Sequence, residues 1–362
     1  MRSVRTAATA FMVAAVAMTA AGCAAAQGDD ASLVGVAMPT TTLLRWVDDG
    51  EDVQEQLENL GYDVDLRYAE NEVATQVQQV GEMIDAGVDL LIIGAIDGTA
   101  LKDQLARAAS ADIPVVSYDR LIRDTPDIAY YATFDNLAVG VLQGHSLARG
   151  LGLEDAEGEQ IEGAGPFTVE LFAGSPDDNN ATVFYEGAMS VLEPYIAAGD
   201  LVVTSGEKDF ATIATEGWDS AKSNERMTKL LSTHYSGGER PDGVLAPNDG
   251  VAISVLEAIK SHGAPAGVVV TGQDAELASV RSIVAGEQSS TIYKNTQLLA
   301  EVAVSMGHAL LTGREPETND LTSYDNGVKV VPTMLLTPQL VTQDNLERVL
   351  VESGAFTAEE IR

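Results

Sequence analysis

The chain has 362 residues, which is long enough for two domains of ordinary size. It carries 55 acidic and 21 basic residues, which give a formal net charge of -34, and it contains one cysteine. This charge would repel a phosphate backbone, so nucleic acid is excluded as an expected partner, and a single cysteine cannot form an internal disulfide.

The N-terminal residues 1–23 are typical of a bacterial lipoprotein signal peptide. Two arginines precede an apolar run that is too short to span a bilayer as a mature helix. The run ends in the tetrapeptide AAGC, which resembles a lipobox although leucine is usual at the position of Ala20. We therefore predict a lipidated Cys23, a tether at 24–32 and an extracytoplasmic protein anchored to the membrane. A plain secretory peptide with a small buried cysteine is the alternative.

From residue 33 onward, strand-like and helix-like segments alternate almost without a break. In the first half the predicted strands are 33–38, 64–68, 89–93 and 114–118, and the predicted helices are 45–60, 73–86 and 99–109. In the second half the predicted strands are 167–173, 201–205, 243–246 and 267–271, and the predicted helices are 179–196, 217–233, 250–261 and 277–285. This alternation predicts an α/β fold with two doubly wound parallel sheets, each covered by helices on both faces.

Residues typical of helix caps and loops lie between these segments. Thr42, Asp135 and Asp178 occupy positions where helix N-caps are expected. The acidic, glycine-rich stretch 154–165 predicts a surface loop, and binding of a calcium ion there stays open as an alternative.

Two sheets of similar size indicate two lobes with a cleft between them. The chain is expected to change lobe near Phe134 and to return near Lys294. Such lobes can close on a ligand by hinge bending. In an open α/β sheet, ligands bind beyond the carboxyl ends of the strands, so the residues that follow each strand are candidates for a site.

Hydrogen-bonding side chains follow the predicted strands in both halves of the chain. Carboxylate and amide oxygens accept from hydroxyl groups, whereas arginine, lysine and amide NH₂ groups donate to them. The pattern predicts one polar pocket for a ligand rich in hydroxyl groups, formed by Arg45, Asp119, Arg120, Asp178, Asn180, Asn248, Asp274 and Lys294.

Each of these polar positions also has a plainer interpretation. The alternatives are a local surface ion pair for Asp119-Arg120, helix caps for Asp178 and Asn180, turns for Asn248 and Asp274, and a solvated side chain for Lys294. Their joint placement after the strands is what favours the pocket.

The two tryptophans are candidates for packing against the apolar face of a ring. Trp46 directly follows Arg45, and Trp218 follows Gly217 at a predicted boundary between loop and helix. A place in the hydrophobic core is the alternative for each of them.

Long motifs in a fixed order extend from about residue 33 to 345. They are AMPTTTLLRWVDDG (37–50), GAIDGTAL (94–101), VVSYDRLI (115–122), YYATFDNLAVGVLQG (130–144), GSPDDNNA (174–181), APNDGVA (246–252), GQDAE (272–276) and YKNT (293–296). Together they resemble the bacterial periplasmic-type sugar-binding proteins, in the branch that binds xylose and multiple monosaccharides.

The resemblance implies a type I periplasmic binding protein fold, in which two lobes joined by a three-segment hinge close around a pyranose. It implies that the polar side chains above hydrogen-bond an aldopentose or aldohexose, and that Trp46, Trp218 or both pack on its ring. It further implies a monomer without metal or cofactor that delivers the sugar to the permease of an ABC importer. Some relatives also signal to a chemoreceptor. One departure is that segment 207–217 is longer than in the xylose-binding relatives.

The same resemblance implies domain boundaries. The N-terminal lobe is expected at 33–133 plus about 294–322, and the C-terminal lobe at 134–293 plus about 323–345. Residues 346–362 are expected to form a C-terminal tail.

No catalytic motif accompanies these features. The sequence has no GxSxG elbow, no HExxH pair, no phosphate-binding P-loop and no histidine pair at metal-ligand spacing. Binding rather than catalysis is therefore expected. The alternative is a glycoside-processing enzyme in which Asp119 and Asp274 flank a glycosidic bond.

Overall fold

The computed structural model describes residues 31–235, 237 and 239–362, so the predicted signal peptide and Cys23 lie outside the described residues. The strands in chain order are β1 (Leu33–Met38), β2 (Asp63–Tyr68), β3 (Leu90–Ile93), β4 (Val115–Tyr118), β5 (Tyr130–Phe134), β6 (Phe167–Leu171), β7 (Leu201–Val203), β8 (Gly243–Leu245), β9 (Val269–Val270), β10 (Ser290–Tyr293), β11 (Thr333–Leu336) and β12 (Gln339–Thr342). The helices in chain order are α1 (Leu44–Asn59), α2 (Val73–Ala86), α3 (Lys102–Ser110), α4 (Asn136–Gly150), α5 (Asn179–Ala198), α6 (Phe210–Ile213), α7 (Ser220–His234), α8 (Asp249–Ser261), α9 (Leu277–Val284) and α10 (Thr296–Leu311).

A six-stranded parallel sheet has the order β11-β5-β4-β3-β1-β2. Successive residues of β3 point to opposite faces, so Leu91 and Ile93 join one apolar cluster while Leu90 and Ile92 join the other. Helices α2 and α3 contribute to the first cluster, and α1 and α10 contribute to the second. Both faces are therefore buried, as the uninterrupted apolar strands require. We call this sheet with α1, α2, α3 and α10 the first lobe.

A four-stranded parallel sheet has the order β7-β6-β8-β9, and β10 and β12 form a separate antiparallel pair. One face of this sheet packs with α7 and α8, and the other packs with α4 and α5. Helices α4 and α5 touch through Gly140 and Gly187, where an added Cβ would collide with a backbone carbonyl of the opposite helix. We call these elements, with α6 and α9, the second lobe. The two doubly wound lobes confirm the predicted fold class.

The last passage between the lobes lies later in the chain than expected. Residues after about 323 were assigned to the second lobe, but β11 pairs in parallel with β5 at the edge of the first sheet. Tyr324 packs against Tyr131 of β5 at 5.3 Å between ring centroids, and Asn326 donates a hydrogen bond to the backbone oxygen of Thr125 at 2.8 Å. The passage to the second lobe therefore falls between β11 and β12.

The segment after β12 is packed against the second lobe. A short π-helical segment at Glu347–Val351 contributes Val349 and Leu350 to an apolar cluster with Val280 and Ile283 of α9. Residues 346–362 were expected to form a C-terminal tail, but these buried contacts make the segment part of that lobe's core. Within the described residues, no helix is both long and apolar enough to cross a membrane.

Two of the three predicted helix caps are present. Asp135 accepts a hydrogen bond from the backbone N–H of Ala138, and Asp178 accepts one from that of Asn180. Thr42 was predicted wrongly, because α1 begins after Leu43 and no side chain caps it. The hydroxyl of Thr42 is instead 2.9 Å from that of Thr40.

The acidic stretch at 154–165 is secured to the second lobe at its first residue. Glu154 is buried, lies 2.7 Å from Nδ1 of His145 and accepts a hydrogen bond from the hydroxyl of Tyr195 at 3.0 Å. In the described part of the chain, no group of three or more histidine, cysteine or acidic side chains is arranged to hold a metal ion.

Candidate functional site

A small cavity brings together every side chain that the sequence predicted to bind ligand. Its volume is about 30 Å³, and most of its lining residues are buried. The predicted residues that line it are Arg45, Trp46, Asp119, Arg120, Asp178, Asn180, Trp218, Asn248, Asp274 and Lys294. They come from both lobes and follow the carboxyl ends of their strands.

Arg45 is the centre of one charged network in the first lobe. Its Nη2 lies 2.8 Å from Oδ2 of Asp49, one turn further along α1, and 3.3 Å from Oδ1 of Asp119, which follows β4. Its contact with Asp274 of the second lobe is longer, at 3.9 Å. Arg45 is therefore held mainly by its own lobe.

Burial and ion pairing act against each other on the two carboxylates beside Arg45. Burial raises the pKa of Asp49 to about 6, although Arg45 partly opposes this. Burial would also raise the pKa of Asp119, but Arg45, Lys294 and Arg120 together outweigh burial and lower it. Asp119 is therefore a permanently ionised acceptor at neutral pH.

Arg120 joins the two lobes. Its Nε lies 3.1 Å from Oδ2 of Asp178 in the second lobe, and its Nη1 donates to the backbone oxygen of Ala95 at 3.2 Å. Asp178 uses its other oxygen to cap α5, so the cap and the ion pair occur together. Burial raises the pKa of Asp178, and Arg120 partly offsets this.

Asn180 makes a second connection between the lobes. Its Nδ2 donates to the backbone oxygen of Asp119 at 2.8 Å. Its Oδ1 accepts from the hydroxyl of Tyr131 at 3.2 Å and from Nδ2 of Asn136 at 2.9 Å. Asn248, across the cavity, caps α8 by accepting from the N–H of Val251.

Asp274 and Lys294 form an ion pair that the second lobe contributes to the cavity, with 3.0 Å between Oδ1 and Nζ. Asp274 has a φ of 94° and Asp119 a φ of 59°, in the region that non-glycine residues rarely adopt. Such backbone strain persists only where surrounding contacts hold it, and it is concentrated at functional sites.

Both tryptophans are buried in apolar clusters and also line the cavity. The Trp46 ring lies 4.4 Å from the guanidinium carbon of Arg45 and 5.2 Å from that of Arg120, within the range of cation–π attraction. Trp218 packs over Gly174, where any Cβ would collide with the indole. Each indole therefore belongs to the hydrophobic core and lines the cavity at the same time.

Three lining residues were not among the predicted ones, namely Leu43, Phe184 and Gln273. Phe184 lies one helical turn after Asn180, so helical spacing from a predicted residue could have identified it. Gln273 immediately precedes Asp274, but adjacency in a loop does not predict which way a side chain points.

Some buried polar atoms of the residues that line this cavity have no hydrogen-bond partner in the protein. They include the donors Nε of Arg45 and Nε1 of Trp218 and the acceptor Oε1 of Gln273. Buried polar groups are normally paired, so these atoms suit a ligand that both donates and accepts.

A larger cavity of about 580 Å³ adjoins the small one and shares Leu43, Arg45, Asp274 and Lys294 with it. Glu276 lines the larger cavity, and burial together with the nearby Asp274 raises its pKa to about 7. The long 3.9 Å contact between Arg45 and Asp274 is part of the shared wall.

Comparison with known proteins gives consistent results. The chain matches the periplasmic binding protein domain over residues 34–315. It is 50% identical over 337 residues to the multiple sugar-binding periplasmic receptor ChvE of Rhizobium radiobacter, covering 92% of this chain and 93% of that protein. It is 33% identical over 328 residues to the D-xylose-binding periplasmic protein of Escherichia coli, covering 91% and 92%.

Among solved structures, it is similar to an ABC transporter solute binding protein from Clostridium phytofermentans with bound β-D-glucose. The TM-score is 0.85 and the identity 43%, and the alignment covers 91% of this chain and 100% of that one. This chain therefore belongs to the periplasmic binding protein family, in the group of extracytoplasmic sugar-binding proteins.

Proposed function

We propose that this protein captures a monosaccharide, an aldopentose or aldohexose, in the small cavity and delivers it to the permease of an ABC importer. The observation that carries this proposal is that polar side chains and two indoles, scattered along the chain, line a single cavity between the lobes. Relatives named for sugar and xylose binding, and a similar structure with bound glucose, support it.

The chemistry of the cavity matches a sugar ring. The carboxylates of Asp119 and Asp274 accept hydrogen bonds from hydroxyl groups, and the side chains of Arg45 and Arg120 donate to them. Hydrogen bonds to charged groups contribute about 1.5–3 kcal/mol each. A sugar lacking one of these hydroxyls would leave a buried charge unpaired, which is the basis of selectivity.

Entry of a sugar requires the lobes to move apart, because buried residues of both lobes enclose the cavity. Separation would break the Arg120–Asp178 ion pair and the contacts of Asn180 with the first lobe. The sugar would then favour the closed state by bridging groups of both lobes, and the permease would recognise that state.

We further propose that Cys23 carries the lipid anchor, that the protein acts as a monomer, and that a chemoreceptor is a second candidate partner. Two or more acyl chains on Cys23 would hold the protein at the outer face of the membrane. Cys23→Ser should move the protein from the membrane fraction to the soluble fraction. Retention of this variant in the membrane fraction would contradict the anchor.

The alternative is a glycosidase in which Asp119 and Asp274 flank a glycosidic bond. Incubation with aryl glycosides tests the alternative directly, because release of the aryl group would show turnover and refute a purely binding role.

A thermal-shift screen tests the proposed function. A ligand that binds only the native state raises the melting temperature. D-glucose, D-xylose, D-galactose and L-arabinose are the first candidates, and calorimetry on the best of them should give 1:1 binding. The absence of any shift across the aldoses at millimolar concentration would refute the proposal.

A further inference from the structure

Behind Asp274 lies a buried carboxylate that does not line the cavity. Asp249 is the first residue of α8, and its side chain is 0% exposed. Its Oδ2 accepts hydrogen bonds from the backbone N–H of Glu276 and from the hydroxyl of Thr291, each at 2.9 Å. Its Oδ1 accepts from Nε2 of Gln288 at 3.1 Å.

These bonds enclose the loop that carries Asp274. The N–H of Asp249 donates to the backbone oxygen of Gln273 at 2.9 Å, directly before Asp274. The hydroxyl of Thr291 accepts from the N–H of Ala275 at 3.2 Å, directly after it. The backbone on both sides of Asp274 is therefore held by Asp249 itself or through Thr291.

The held conformation is one that the loop would not adopt unaided. Asp274 has a φ of 94° and Ala275 a φ of 52°, both in the left-handed region. Neither is glycine, so the surrounding contacts must maintain this conformation. The preceding Gly272 leaves room for Asp249, because a Cβ there would collide with its Oδ1.

We propose that Asp249, acting with Thr291, is a positioning residue that holds the Asp274 carboxylate toward the bound sugar. This inference rests on the proposed function of the cavity. Asp249 does not touch the cavity, so its effect on affinity must pass through Asp274. Site residues held by supporting hydrogen bonds bind more tightly than the same residues left mobile.

Variants at the two positions test the inference with D-glucose as the probe. Asp249→Ala should raise the Kd about tenfold, and Thr291→Val, which keeps the side-chain shape but lacks the hydroxyl, should raise it about threefold. Thr291→Ser restores the hydroxyl and should bind within about twofold of the native protein.

Asp242→Ala is the control for loss of a hydrogen-bonded carboxylate away from the cavity, although the Asp242 side chain is 44% exposed. Asp242 precedes β8 instead of following it, and it likewise accepts from a backbone N–H and a hydroxyl, both of Thr168, at 2.8 and 2.9 Å. It should lower the melting temperature and leave the Kd unchanged. Equal effects of Asp249→Ala and Asp242→Ala on the Kd would overturn the inference.

A double-mutant cycle separates positioning from general destabilisation. Once Asp274→Ala has removed the carboxylate, adding Asp249→Ala should change the Kd by less than about twofold, because coupled residues are not additive. Independent, multiplicative effects would overturn the inference.

Amide hydrogen exchange in the sugar-free protein gives a readout that does not depend on the ligand. Compared with Asp242→Ala, exchange should be faster at Ala275 in Thr291→Val and faster at Glu276 in Asp249→Ala, because each of these N–H groups loses its acceptor. Unchanged exchange would overturn the inference. A native protein that binds no aldose would refute the proposed function, while exchange would still decide the positioning role.

Discussion

The two arginines that the first lobe contributes to the cavity are held in different ways. Arg45 has its short contacts inside its own lobe, with Asp49 at 2.8 Å and Asp119 at 3.3 Å. Arg120 has its carboxylate partner, Asp178, in the opposite lobe at 3.1 Å. On the proposed separation of the lobes, the Arg45 side of the cavity would therefore persist, whereas the Arg120 side would be completed only on closure. Arg45 would then belong to the preformed part of the site and Arg120 to the contact that closes it.

Removal of Arg45 should have the largest effect, because it leaves two buried carboxylates without their partner. We expect Arg45→Ala to lower the free energy of unfolding by about 3–5 kcal/mol. Sugar affinity should fall about 100-fold or more, since Asp119 also loses its orientation. Urea unfolding and calorimetry measure the two effects. Unchanged stability would show that the preformed network does not contribute to folding.

Asp49 should make stability depend on pH. Its folded-state pKa of about 6 lies above its ordinary value of 3.8, so the native state binds the proton more tightly than the unfolded state. Its contribution to stability is therefore greatest at low pH and is lost as pH rises from about 4 to 6. Asp49→Asn should reduce the change in the free energy of unfolding over this pH range by about 1–3 kcal/mol. Parallel slopes for the variant and the native protein would contradict the assignment.

Removal of Arg120 should weaken binding without unfolding the protein. Arg120→Ala loses the contact that forms on closure, so sugar affinity should fall at least about tenfold by calorimetry. Asp274→Ala should weaken it by a similar factor, with the far-ultraviolet circular dichroism unchanged.

Arg67→Ala is the control for Arg120→Ala. Arg67 pairs with Asp65 at 2.7 Å on the outer strand of the same lobe, away from the cavity. The Kd of this variant should equal that of the native protein. Equal affinities of Arg120→Ala and Arg67→Ala for the sugar would show that Arg120 does not contribute to binding.

Substitution of the indoles should have the smallest effects on sugar binding. Replacing Trp218 should mainly affect binding, whereas replacing Trp46 should mainly affect stability. Trp218 is 8% exposed, and Nε1 has no partner, so Trp218→Phe should weaken sugar binding by about threefold with little loss of stability. Trp46 is 1% exposed in the core of the first lobe, so Trp46→Phe should cost about 1–3 kcal/mol of stability. Melting temperatures and Kd values of the two variants test this contrast.

Much of the fold and the composition of the cavity could be predicted because parallel strands place their carboxyl ends on one edge. A polar residue after a buried strand of a parallel sheet, such as Asp119 after β4 or Asn248 after β8, is directed there by topology alone. Phe184 and Gln273 were missed because neither residue type indicates whether its side chain faces a ligand or the core.

The assignment of β11 failed for a different reason. Its residues read as a strand equally well in either lobe, and pairing with β5 depends on partners distant in sequence. The preceding residues fix the choice through Tyr324 and Asn326, whose contacts no local pattern encodes. The Thr42 cap failed for a local reason, because Leu43 is the residue that precedes α1 and the Thr42 hydroxyl lies beside that of Thr40.

The distribution of tryptophan has a practical consequence. The chain contains two tryptophans, and both line the cavity. One lies against guanidinium groups and the other over a bare glycine backbone, so their surroundings differ in polarity. Intrinsic tryptophan fluorescence therefore originates entirely at the cavity wall. A change in this fluorescence on addition of sugar would report occupancy of the cavity in the unlabelled protein.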